Sequence, residues 1–279
     1  MKHNMKITIE LLIWTAFGLV FGFLATPGVI MKSGPAMPVS PLTYVILIVT
    51  IMLVSAWIWL KLFKKFKPDT LVAVFSGGIG AIMFRAITAI FPLRTTNYVI
   101  ADIALQFIMI YVFGFTVYGL VKHMQKSWKN VQKWYPVMNL VMAMVIPVVA
   151  VIMSKGVPIW AAMLLLFLIS CYDAYAVWKS KHMIVLAKTF MKLRILPGIV
   201  VPYKIKDRFA VLGGGDVFFI SFVSAAAYPI SWTAALAVVI GGFAAILWLF
   251  FVSAKKKFYP AIPFIFGGIS IALILWSIL

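Results

Sequence analysis

Apolar residues fill this chain in long unbroken runs separated by short polar segments, instead of recurring on one helix face or alternating along a strand. A helix needs about 20 residues to cross roughly 30 Å of hydrocarbon. Windows of that length pick out nine segments, residues 7–30, 42–63, 71–92, 99–121, 136–153, 158–179, 209–229, 232–253 and 260–279. A membrane barrel strand would alternate polar and apolar positions, whereas these segments are apolar all round. The pattern therefore predicts an all-α membrane protein, a polytopic bundle of nine transmembrane helices. The first segment follows Met1-Lys2-His3, but its apolar run exceeds a signal-peptide core and no small-residue cleavage site follows, so it is expected to be retained. One long connection divides the chain into a six-helix part, 1–179, a basic cytoplasmic or interfacial loop, 180–208, and a three-helix part, 209–279.

Composition agrees. The AVILMFWYC set makes up 65% of the chain and charged residues 11%, against about 45–50% and about 25% in soluble domains, which excludes a soluble globular enzyme. The 23 Phe, 10 Trp and 10 Tyr exclude disorder. A net charge of +19 would suit a nucleic-acid binder if it formed a basic face on a soluble module. Here it lies in short runs between apolar segments, so no nucleic-acid partner is expected. Of the 25 Lys and Arg, 21 fall at the N-terminus and in every second loop, and 3 in the intervening loops. Cytoplasmic loops carry such an excess. The N-terminus is thus expected in the cytoplasm and the C-terminus outside, in a multi-pass protein of the cell membrane whose basic loops attract anionic lipid headgroups. The lone Cys171 allows no intramolecular disulfide and reads as packing.

Only six acids occur: Glu10, Asp69, Asp102, Asp173, Asp207 and Asp216. Asp69 and Asp207 lie in basic loops and Glu10 near the inner end of the first segment, where solvated or snorkelling roles suffice. Asp102 lies at the depth of Arg85, the one cation inside a segment, and an ion pair between them is expected. Asp173 precedes Lys179 by six residues, roughly 9 Å of helix, and Asp216 follows Arg208 by eight, roughly 12 Å. The sixth segment runs inward and the seventh returns, which puts the two carboxylates at similar depth. An acid in hydrocarbon costs about 2.5 kcal/mol or more and is a functional hypothesis by default. With no Lys or Arg near them in their own segments, the two acids must share a proton or bind a cation. Sharing one proton suits an aspartic protease dyad, in which one carboxylate activates water and the protonated partner polarises the scissile carbonyl. A proton- or sodium-coupled transporter uses a similar pair, and depth alone does not choose between them.

Tyr172-Asp173 in the sixth segment, Gly213-Gly214-Gly215-Asp216 in the seventh and Pro260-Ala261-Ile262-Pro263 opening the ninth resemble the YD, GxGD and PAL signatures of the presenilin and signal peptide peptidase family of intramembrane aspartyl proteases. Each is short, but they come in the family's order on the sixth, seventh and ninth of nine segments. The inferred orientation matches the presenilin branch, and Ile262 stands where the family has Leu. The resemblance implies catalysis by Asp173 and Asp216, with no metal or organic cofactor, on transmembrane helices of other proteins. It also implies that the Pro-Ala-Ile turn lies beside the dyad and positions substrate.

Read from the residues themselves, Gly213, Gly214 and Gly215 let backbone approach a neighbour or unwind toward a wet cavity. Pro260 and Pro263 lack N–H groups, so the first turn there has few donors left to satisfy. Tyr172 serves the dyad or the core. His3, His123 and His182 are too scattered for a zinc site, and a carrier's inverted repeats are not visible. In the loop, the apolar runs 183–187 and 195–201 suit the membrane interface. The β-prone stretch 199–205, by resemblance to presenilins, offers an edge to which a substrate adds as a strand.

Overall fold

The computed structural model describes residues 5–30, 40–65, 67–90, 99–180, 188, 190–191, 198–203, 208–252 and 259–279. Nine α-helices are found among them: α1 Met5–Ile30, α2 Pro41–Lys65, α3 Pro68–Ile90, α4 Val99–Lys126, α5 Trp128–Met153, α6 Ile159–Ala174, α7 Gly214–Ala227, α8 Trp232–Val252 and α9 Ile262–Ile278. Among the described residues, four stretches, Met5–Ile30, Trp128–Met153, Ile159–Lys179 and Trp232–Val252, are long and apolar enough to cross a membrane. Outward faces carry large apolar side chains, among them Leu24, Trp248 and Ile271, each more than half exposed. Such faces are stable only where the surrounding solvent is itself apolar.

The bundle is built around α7. Val217, Ile220, Phe222 and Val223 are all 0% exposed, because α5, α8, α1, α6 and α9 pack around it. A helix apolar on every side is stable among protein neighbours or in lipid, and α7 has protein on every side. Close approach is made by small residues: a Cβ on Gly22 of α1 would come within 2.6 Å of Pro147 of α5, and one on Gly241 of α8 within 2.5 Å of the Gly268 carbonyl of α9. Without a hydrophobic drive between helices in lipid, such contact is what holds them together.

Several boundaries depart from the hydropathy windows. The fifth begins at Trp128, two turns before residue 136, because Ser127 caps the helix by accepting from the Asn130 N–H at 3.1 Å. A left-handed Gly156, φ 75°, turns the chain from α5 into α6. The seventh is not helical from 209. Phe209–Gly213 forms strand β2, paired antiparallel with β1, Gly198–Pro202, and the helix starts only at Gly214. Local propensity does not decide this run, since Ala210 and Leu212 suit a helix as well as Phe209 and Val211 suit a strand; pairing with β1 does, and it satisfies the backbone where protein surrounds it. β1 is buried, with Ile199, Val200 and Val201 at most 2% exposed. This part of the 180–208 loop is therefore core and not interfacial surface; residues 183–187 and 195–197 lie outside the described residues.

β1 and β2 pair Gly198 with Gly213 and Val200 with Val211. A Cβ on Gly198 would meet the Leu212 carbonyl at 2.3 Å, so only glycine fits there. The outer edge of β1 is closed by α5: the Asn139 Nδ2 donates to the Val200 carbonyl at 2.7 Å and its Oδ1 accepts from the Val200 N–H at 2.9 Å. Asn139 is fully buried, and leaving such a group unpaired costs about 1–3 kcal/mol. Because Val200 spends both its groups on Asn139, Val200 and Val211 form the non-hydrogen-bonded type of pair. The backbone groups of Val211 and Gly213 accordingly point away from β1.

Candidate functional site

Asp173 is the last residue but one of α6, just before a single π-helical turn, Tyr175–Lys179. Its Oδ2 accepts from the Ile262 N–H at 3.3 Å, and the Ala261 N–H lies alongside as a second donor. The reason is the sequence of the turn. Pro260 and Pro263 have no N–H, and the Phe264 and Ile265 N–H groups are taken by the Ala261 carbonyl at 3.1 Å. The two remaining donors at the start of α9 point at the carboxylate, with the helix dipole favouring negative charge there.

Asp216 sits in the first turn of α7, three residues after Gly213, the N-cap. From that position a carboxylate reaches back to the N-cap N–H, half of a capping box, and the Gly213 N–H is indeed its donor. A Cβ on Gly213 would stand 3.3 Å from Asp216 Oδ2. The three glycines thus act unequally. A side chain at Gly213 would crowd the acid, whereas one at Gly215 would enter open space.

The structure brings the expected pieces together: α9 packs on both α6 and α7, and Asp173 lies close enough to act electrostatically on Asp216. Among the described residues neither carboxylate pairs with Lys or Arg. Tyr172, half-buried, adjoins Asp173. Pro260 and Ile262 are buried while Ala261 and Pro263 are partly exposed.

Elsewhere one acid differs from expectation. Glu10 is not simply solvated: the Tyr135 hydroxyl of α5 donates to it. Asp69 pairs with Lys122 of α4, an exposed pair of small energetic weight. The side chains of Arg85 and Asp102, and with them the expected ion pair, lie outside the described residues, as do Asp207, His3 and His182. His123 packs edge-on against Trp134. No group of three or more His, Cys, Asp or Glu able to hold a metal occurs among the described residues. Asn139 was not singled out from the sequence, although a lone amide between Met138 and Leu140 in an apolar segment is a signal of the same kind as the two acids.

By sequence the chain matches no protein-family model and no curated protein. Its fold is that of solved presenilin family intramembrane aspartate proteases. One, in a C222 crystal form, superposes with a TM-score of 0.62 at 15% identity over 96% of this chain and 95% of that one. Another, in a P2 form, gives 0.66 at 16% identity over 96% of each.

Proposed function

We propose that this protein, with the presenilin-type fold, is an intramembrane aspartyl protease that hydrolyses peptide bonds in transmembrane segments of other membrane proteins. What carries the reading is the pair Asp173 and Asp216, held by backbone N–H donors on adjoining helices and within electrostatic reach of each other. In the reaction the ionised carboxylate takes a proton from water as the oxygen attacks the scissile carbonyl carbon. The protonated carboxyl hydrogen-bonds to the carbonyl oxygen and then gives its proton to the leaving nitrogen as the C–N bond breaks. The pair ends with one proton, as it began, and needs no metal or organic cofactor.

The outward-facing edge of β2 supports the mode of substrate binding. The Val211 backbone groups point away from β1, and at the end of that edge the Gly213 N–H meets Asp216. An unwound segment adding there as a strand runs directly to the dyad. Nine spans, a cytoplasmic N-terminus, location in the cell membrane and the division at 180–208 complete the proposal, resting on the hydropathy windows and the 21 to 3 charge asymmetry.

The test incubates purified protein in lipid with a single-span substrate. Asp173→Asn and Asp216→Asn should each lower cleavage by about three orders of magnitude or more. Cleavage persisting in either variant removes the dyad. Cation flux without cleavage establishes a coupled carrier instead.

A further inference from the structure

We infer that Asn139 on α5 is a positioning residue for this site: its side-chain amide takes the place of a third strand on the outer edge of β1 and so fixes where β2 delivers Asp216. The inference rests on the protease reading for its catalytic consequence, but not for its structural one.

An Asn side chain carries the same donor and acceptor as a peptide group. At Val200 it uses both, 2.7 Å to the carbonyl and 2.9 Å from the N–H, as a neighbouring strand would. A second amide on α5 continues the match: Gln132 Nε2 donates to the Tyr203 carbonyl at 3.4 Å. Gln132 and Asn139 are two helical turns apart, about 10.5 Å, and Tyr203 follows the end of β1 three residues after Val200. Asn139 thus holds β1 itself, and Gln132 holds the chain just where it leaves the strand.

From there the constraint passes through named contacts. Val200 is opposite Val211, and two residues on, Gly213 is opposite Gly198. The Gly213 N–H then binds Asp216. A strand can slip by two residues without changing which face is buried; the hairpin closure from the Tyr203 N–H to the Arg208 carbonyl at 2.8 Å and the close backbone contact at Gly198 oppose a slip from the two ends of β1. Asn139 opposes it from the middle, and it also blocks the β1 edge, so that an extended segment would add at β2. A polar group with 0% exposure inside an apolar helix is thereby accounted for.

The experiment reads register and chemistry separately in the full chain in lipid, with Cys171→Ser as background. Val200→Cys with Val211→Cys reports the native register by oxidative crosslinking, and Val200→Cys with Phe209→Cys reports a two-residue slip. Asn139→Leu is expected to lower the ratio of native to slipped crosslink about tenfold. Without the cysteine pairs, the same substitution should lower kcat about tenfold per folded molecule, with KM within about threefold, and spread cleavage over bonds two residues apart. Asn139→Ser, smaller and still polar, provides the same readouts if the leucine protein does not accumulate. Unchanged crosslink ratio and unchanged cleavage bonds in a folded variant would overturn the inference and leave Asn139 a structural amide. A shifted crosslink ratio in a protein that cleaves nothing even with Asn139 present upholds the positioning of β1 by Asn139 and removes the protease reading.

Discussion

The Ile262 N–H reaches the Asp173 carboxylate at 3.3 Å from a turn 89 residues further along the chain. The contact uses backbone, not a side chain, so the identity of residue 262 matters through whether it has an N–H. Ile262→Leu keeps the donor and the aliphatic bulk, and cleavage should stay within about threefold of the parent. Ile262→Pro removes the donor at a helix position where proline is tolerated, and kcat should fall at least about tenfold. Equal activities of the two variants, measured on the same single-span substrate, would show that this contact is dispensable.

Gly213 and Gly215 differ in what surrounds them, which yields a paired prediction. At Gly213 the backbone, φ −61° and ψ 140°, suits any residue, so Gly213→Ala should leave thermal stability unchanged or slightly raised by a less flexible unfolded chain. Its methyl nevertheless lands 3.3 Å from Asp216 Oδ2. On the proposed protease reading, displacing the Asp216 carboxylate by a few tenths of an ångström is expected to lower kcat about tenfold. Gly215→Ala meets nothing within 4 Å and should keep cleavage within about twofold. The check is kcat against melting temperature for both variants, and a Gly213→Ala enzyme with parental kcat would contradict the tight placement.

At Val211 the N–H faces away from β1, so replacing it removes no bond within the hairpin. Proline is accepted on a strand's outward side, and Val211→Pro should fold. If substrate adds as a strand on this edge, cleavage should fall about tenfold through the lost donor and the blocked edge. Retention of full cleavage by a folded Val211→Pro protein would place substrate elsewhere.

How much of this was legible in the chain depends on which force decides each feature. The long apolar helices α1, α5, α6 and α8 were readable because solvent alone selects them, and the two acids stood out as candidates because burial without a counter-ion is costly. The start of α7 was not. Hydropathy counts Phe209 to Leu212 as membrane span, and only the partner strand, supplied by Gly198–Pro202, turns that run into β2. Asn139 escaped notice because its partner is the backbone of Val200, 61 residues away, and backbone groups leave no mark on a sequence. The unequal roles of Gly213 and Gly215 likewise depend on the local turn, which the repeated glycine letters conceal.

Gly241 and Gly268 bring α8 and α9 together so closely that a Cβ on either would lie 2.5 Å from the other's carbonyl oxygen. Backbone on both sides cannot rotate out of the way as a side chain can. Gly241→Ala and Gly268→Ala should each destabilise by about 1–3 kcal/mol through forced separation of the helices. Because both methyls widen the same contact, once one has pushed the helices apart the second has less to displace, and the double variant should cost less than the two single effects added together. Thermal unfolding of the three variants in one detergent checks this. Simple additivity would mean that the two glycines relieve separate contacts. Since α9 carries the Ala261 and Ile262 donors to Asp173, cleavage at temperatures well below unfolding should fall along with stability. Preserved kcat in the destabilised proteins would show that the turn keeps its place independently of the helix crossing.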